Sequence, residues 1–235
     1  MPYNAPVLRL LGFLFVTVVA LQLLRGVPVV GSVFHGFFGF WLAAILMALG
    51  AAKLTEVLTL RAKLANSLRA LGHVESPHNQ GKLGSLLASH GRFARALPHL
   101  ERAVRGEPEV AEWHYRHGQA LLETGAHSQA AEALARAAEL DPEHAYGGVQ
   151  LALARAHARR GAPSAALEAL DVFDRNHGPN PESAFRRGEL LKASGHAAEA
   201  DESFRRVGAL AAHATKFQRK SYRGWALRAW FARLT

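Results

Sequence analysis

The side chains with the most chemical reach are 13 histidines and 19 carboxylates, spread over 235 residues that contain no cysteine. Without a thiol, thiolate zinc sites, iron–sulfur clusters, cysteine catalysis and disulfide scaffolds are all excluded. Histidine metal chemistry needs ligands gathered at fixed spacing, such as His-Glu-x-x-His on one helical face with a further carboxylate. Here the histidines are scattered from His35 to His213; only His114 and His117 share a helical face, and no carboxylate set completes a site around them. They read as surface and packing residues. No glycine-rich phosphate loop follows a strand, and paired carboxylates such as Glu199 with Asp201 or Glu202 fall on solvated helical positions. The expectation is therefore no catalytic residue, no metal, no cofactor and no small-molecule substrate.

The net charge of +9 would suit a polyanion partner, because a basic surface binds nucleic acid by releasing counterions. Its distribution argues otherwise. Residues 77–213 carry 16 basic and 17 acidic side chains, whereas residues 1–76 carry 6 and 2, and the last 22 residues carry 6 basic and no acidic ones. The body of the chain is nearly neutral, and no nucleic-acid partner is expected.

Ala5–Leu24 (APVLRLLGFLFVTVVALQLL) and Val29–Ala52 (VVGSVFHGFFGFWLAAILMALGAA) are long apolar runs, the second without any charge. A helix crossing the hydrocarbon core needs about 20 apolar residues, and both runs reach that length. A cleavable signal peptide is a poorer reading of the first run, which exceeds the usual apolar stretch and lacks a small-x-small cleavage site before the second. Arg25-Gly26-Val27-Pro28 leaves room only for a tight turn, so the expectation is a transmembrane helical hairpin over 1–52. Lys53, Arg61, Lys63 and Arg69 follow the second run, against one arginine in the loop, and the positive-inside bias then puts both termini and the rest of the chain on the cytoplasmic side. His35 lies in the second span. An ionisable group there is a candidate for proton or transport chemistry, although no second ionisable group accompanies it and a hydrogen bond to the partner helix explains it as well. Residues 53–76 keep Leu or Val at 54, 57, 58, 64, 68 and 71 and read as a helical stalk.

Beyond the stalk the chain repeats. Gly84, Gly91, Ala96, Leu100, Ala103 and Pro108 recur 34 residues later as Gly118, Gly125, Ala130, Leu134, Ala137 and Pro142. Ala154, Gly161, Ala166 and Leu170 answer Gly188, Gly195, Ala200 and Phe204 at the same period, with two residues inserted around Tyr146–Gly148. Small residues let paired helices approach, and the glycine between them suits a turn needing positive φ.

On these residues the chain resembles the tetratricopeptide repeat family, whose unit is a 34-residue helix-turn-helix. The resemblance covers 77–213 in four units and implies an α-solenoid that binds other proteins along a groove formed by the first helices. It places the partner-binding groove at Tyr115, Gln119, Leu122 and Glu123, then Leu151, Arg155 and Arg159, then Phe185, Glu189 and Lys192. The usual aromatic at position 4 is replaced by Gln80, His114, Gln150 and Ala184, with Trp113 one place early. The Lys and Asn carboxylate clamp of chaperone-binding relatives is absent.

The tail, 214–235, is a basic aromatic helix with Leu227, Trp230, Phe231 and Leu234 at i, i+3, i+4 and i+7. It reads either as the helix capping the stack or as an interfacial helix with Trp225, Arg228, Trp230 and Phe231 against lipid.

The expected molecule is all-α: a two-helix transmembrane hairpin (1–52), a stalk (53–76), about four tetratricopeptide-like repeats (77–213) and a C-terminal capping helix (214–235). Its expected role is a membrane-anchored adaptor that assembles or serves a membrane protein complex, its partners being other proteins and the bilayer. Two alternatives are a structural subunit whose hairpin packs into a larger complex, and a transport component using His35. Arginine supplies 22 of the 28 basic residues, a bias that suggests a GC-rich bacterial source and hence an inner membrane.

Overall fold

The computed structural model describes residues 42, 45–56, 58, 59 and 76–234. The chain divides into two compact units, 1–70 and 71–235. The first span, His35, most of the second span and most of the stalk lie outside the described residues. In the first unit, residues 45–56 are helical and present Leu46, Met47, Leu49 and Leu54 as exposed side chains, with Lys53 paired to Glu56 at 3.0 Å. Among the described residues, no helix is long and apolar enough to cross a membrane.

The second unit is a run of helices: α1 (Pro77–Ser89), α2 (Phe93–Gly106), α3 (Ala111–Glu123), α4 (His127–Leu140), α5 (Gly148–Arg159), α6 (Pro163–His177), α7 (Pro181–Ala193), α8 (Ala197–Ala212) and α9 (Arg219–Leu234). Local sequence sets their starts. Ser76 caps α1 by accepting from the Asn79 amide at 3.2 Å, ahead of Pro77 at the first helical position, where a missing N–H is harmless. Asn180 and Ser183 form a reciprocal capping box on α7, with Asn180 Oδ1 accepting from the Ser183 amide at 2.8 Å.

Helices α1–α8 form four antiparallel pairs. Each pair turns at a glycine in the left-handed region: Gly91 (φ 71°), Gly125 (90°), Gly161 (79°) and Gly195 (83°). Within a pair the small residue of the first helix sits against the large residue of the second. A Cβ on Gly118 would lie 2.6 Å from Leu134 Cγ, and one on Gly188 would lie 2.5 Å from Phe204 Cε1. In the third pair Ala154 is tolerated and packs with Ala166 and Leu170. The 34-residue period is thus the spacing of a close helix approach.

The core is built across neighbours. Leu121 and Leu122 of α3, Leu134 and Ala137 of α4, and Val149, Ala152 and Ala156 of α5 form one cluster; Ala154 of α5 joins α6 and Leu190 of α7; Phe185 of α7 joins α8 and Ala229 of α9. Each pair therefore covers itself with the first helix of the next, the arrangement of a nearest-neighbour stack. The displaced aromatic, Trp113, makes such a joint: a Cβ on Gly81 would meet its ring at 2.6 Å, and its Nε1 donates to Glu107 Oε2 at 2.6 Å. The two-residue insertion between the second and third pairs falls at a left-handed corner of three residues, Ala145 (φ 55°), Tyr146 (53°) and Gly147 (75°).

Candidate protein-binding groove

The first helices α3, α5 and α7 carry the residues proposed to line a groove, and the structure divides them. Tyr115, Leu122 and Phe185 are buried in the core instead of lining an open surface. Tyr115 meets the His144 ring edge-on at 5.3 Å, and Phe185 lies beneath Trp225 at 5.4 Å. Helix α5 of the next unit helps to cover Tyr115 and Leu122, and α8 and α9 cover Phe185, contacts that position within a single repeat does not reveal. Gln119, Glu123, Leu151, Arg155, Arg159, Glu189 and Lys192 remain partly or fully exposed.

Two shallow clefts open on this face. One, of about 210 Å³, is lined by Ala88, Ser89, Phe93, Arg116, Gln119, Glu123 and Arg155; the other, of about 200 Å³, by Ala154, Arg155, Ala158, Arg186, Glu189, Leu190 and Ala193. Arg155 is common to both. Its Nη2 donates to Glu123 Oε1 at 2.6 Å, joining α5 to α3 across the floor. Arg116 donates through Nε to Glu112 at 2.7 Å, and its Nη1 reaches Gln119 Oε1 at 3.3 Å. Arg186 is held through Nε by Glu182 at 2.9 Å; burial lowers its pKa, against the opposing effect of Glu182. Thinned water around Glu189 pushes its carboxyl upward, while Arg186, Arg159 and Arg228 pull it down. The face thus presents Arg155, Arg116 and Arg186 at its clefts, each hydrogen-bonded to a glutamate.

Arg116 and Arg186 were not among the residues expected from the repeat pattern. They lie one position beyond Tyr115 and Phe185, and with those two aromatics turned inward the arginines line the clefts. Among the described residues, no group of three or more His, Asp or Glu side chains could hold a metal.

The paired helices, the four left-handed glycine turns and the small-on-large contacts agree with one family. The tetratricopeptide repeat model matches residues 82–145. That segment is similar to tetratricopeptide repeats. No curated protein matches the chain. Among solved structures, "MamA RS-1 ArsTM double mutant" is 20% identical with a TM-score of 0.58, covering 67% of this chain and 93% of its own. "Crystal structure of MamA" is 21% identical with a TM-score of 0.57, covering 63% and 88%. "MamA 41-end from Desulfovibrio magneticus RS-1" is 18% identical with a TM-score of 0.59, covering 67% and 91%. At these identities the likeness is one of fold, and it spans about two thirds of this chain.

Helix α9 closes the stack with one face. Trp225 packs on Phe185 and is flanked by the guanidinium carbons of Arg186 at 5.6 Å and Arg228 at 4.9 Å from its ring centre. Arg233 Nε donates to Asp201 Oδ1 at 2.6 Å, and Lys192 Nζ donates to the Ala232 carbonyl at 2.8 Å. Of the four residues expected at a membrane interface, Trp225 therefore faces the repeats, whereas Arg228, Trp230 and Phe231 are exposed.

Proposed function

We propose that this protein is a scaffold that holds a segment of another protein in the cleft pair centred on Arg155, and that its N-terminal hairpin confines this groove to a membrane. The observation that carries the reading is the pair of clefts sharing Arg155 on the first-helix face, where tetratricopeptide stacks bind extended segments. A partner carboxylate at Arg155 would displace Glu123, and Arg159 one turn on would accept a second acidic group. A charge-assisted hydrogen bond there exchanges for one of the same kind, so specificity rests on the cleft walls and the spacing of the two arginines more than on raw charge.

The two apolar runs before residue 53 support the anchor, as do the exposed apolar side chains of the 45–56 helix. Confinement to a surface raises the effective concentration of the groove for partners held in the same membrane. The role that follows is assembly or support of a membrane protein complex, with no catalytic step.

A photo-crosslinking residue in place of Gln119 or Arg159 in the full chain, activated in native membranes, tests this. Capture of a discrete protein from those sites, and not from Ala198 on α8, is expected. Equal capture at Ala198, or capture from Gln119 that is unchanged in the Arg155→Glu, Arg159→Glu double variant, would remove the groove from the account.

A further inference from the structure

The end of a repeat stack needs a polar outer face to stay soluble, and on α9 an apolar stripe interrupts it. Its inner face, through Tyr222, Trp225, Ala226 and Ala229, is the one that packs or is half-buried. The opposite face carries Leu227 (58% exposed), Trp230 (54%), Phe231 (54%) and Leu234 (65%), one continuous stripe over two turns, with Trp230 and Phe231 edge-to-face at 4.9 Å. Phe217, just upstream, is 95% exposed. Around the stripe stand Lys216, Arg219, Lys220, Arg223 and Arg228, all exposed, and residues 214–235 contain no acid.

We propose that this outer face of α9 is a membrane contact, lying in the interface of a bilayer with anionic headgroups. Charge selects this occupant. A second copy of the chain offers a repeat body with 16 basic and 17 acidic residues, and the N-terminal segment 1–76 is itself basic, with 6 against 2, so neither complements a helix carrying only positive charge. Anionic lipid does. Trp and Phe belong at headgroup depth, the aliphatic pair Leu227 and Leu234 goes deeper, and the cations meet the phosphates. The inner face stays docked on α7 and α8, so the helix needs no rearrangement to bind.

The absence of cysteine makes a single label unambiguous. The full chain with Leu234→Cys carrying an environment-sensitive fluorophore is mixed with vesicles of phosphatidylcholine alone, or of phosphatidylcholine with phosphatidylglycerol, each with brominated acyl chains as quencher. The expected result is a blue shift and bromine quenching in the anionic vesicles only, reversed by high salt. Each basic residue near the surface contributes about fivefold to partitioning, so Lys220→Gln with Arg223→Gln should lower the ratio of inserted to free helix about 25-fold. Both side chains are exposed, so circular dichroism should be unchanged. Equal quenching in neutral vesicles, or none in either, overturns the proposal. A blue shift that grows with protein concentration in the absence of vesicles overturns it in favour of a second copy. The label reads α9 whether or not the N-terminal segment enters the bilayer, so this proposal and the hairpin anchor fail separately.

Discussion

His117→Leu should stabilise the protein, and the gain should grow on mild acidification. Nε2 of His117 is buried without a hydrogen-bond partner, and the matching positions of the first and third repeats hold Leu83 and Leu153. An unsatisfied buried polar atom costs about 1–3 kcal/mol, and an imperfect change of shape in a packed site takes back up to about 1.5 kcal/mol. A net gain of roughly 1 kcal/mol at neutral pH follows. Burial holds the His117 pKa below the ordinary histidine value; Glu101 opposes this and His114 adds to it. A group depressed on folding contributes stability that is complete above its unfolded pKa of 6.5 and is lost as pH falls toward the folded value. Over that window one site changes stability by at most ~1.4 kcal/mol per pH unit. Burial depresses His99 and His157 in the same direction, so the variant keeps a slope, but a shallower one. Urea unfolding followed by circular dichroism, about one pH unit above and about one below the ordinary histidine value, reads both quantities. A variant less stable than wild type at the higher pH, or a difference that stays constant between the two, would refute the reasoning.

Gly118→Val forces a side chain into Leu134 and should destabilise by about 2–3 kcal/mol in the same assay, far more than a substitution at the open Gly208. Ala145→Gly relieves a left-handed non-glycine residue and should add about 0.5–1 kcal/mol. Trp225→Ala should loosen α9 from α7 by about 2 kcal/mol, roughly half the loss for a fully buried tryptophan, seen as about thirtyfold faster amide exchange confined to α9. For topology, a membrane-impermeant maleimide applied to intact cells should modify Gly26→Cys in the hairpin loop and leave Ala198→Cys unmodified; the reverse pattern would invert the orientation.

The repeat was legible because its signal is steric. Gly84 against Leu100 and Gly118 against Leu134 are contacts only small residues permit, so the 34-residue spacing carries the fold directly. Contacts between repeats leave no such mark. Nothing in the unit pattern says that Trp113 closes on Gly81, or that α5 helps to cover Tyr115 and Leu122 and α9 covers Phe185, while Arg116 and Arg186 line the clefts. In α9 the pattern misleads about burial: the i, i+3, i+4, i+7 stripe of Leu227, Trp230, Phe231 and Leu234 has the spacing of a core face, yet the packed face is the one with Trp225 and Ala229. A helix apolar on two sides shows two stripes, and only the neighbouring elements decide which is covered. The corner at Ala145–Gly147 was visible as a two-residue insertion, while its left-handed geometry was not.

The proposed role of the clefts around Arg155 is to hold a partner protein. The most direct measurement is the affinity of the partner captured at Gln119 for the full chain, compared with the Arg155→Glu, Arg159→Glu double variant, under conditions where both have the same helix content and thermal midpoint. Loss of two charge-assisted contacts predicts binding weaker by at least about tenfold, with the difference shrinking at high salt. An unchanged affinity would contradict the account.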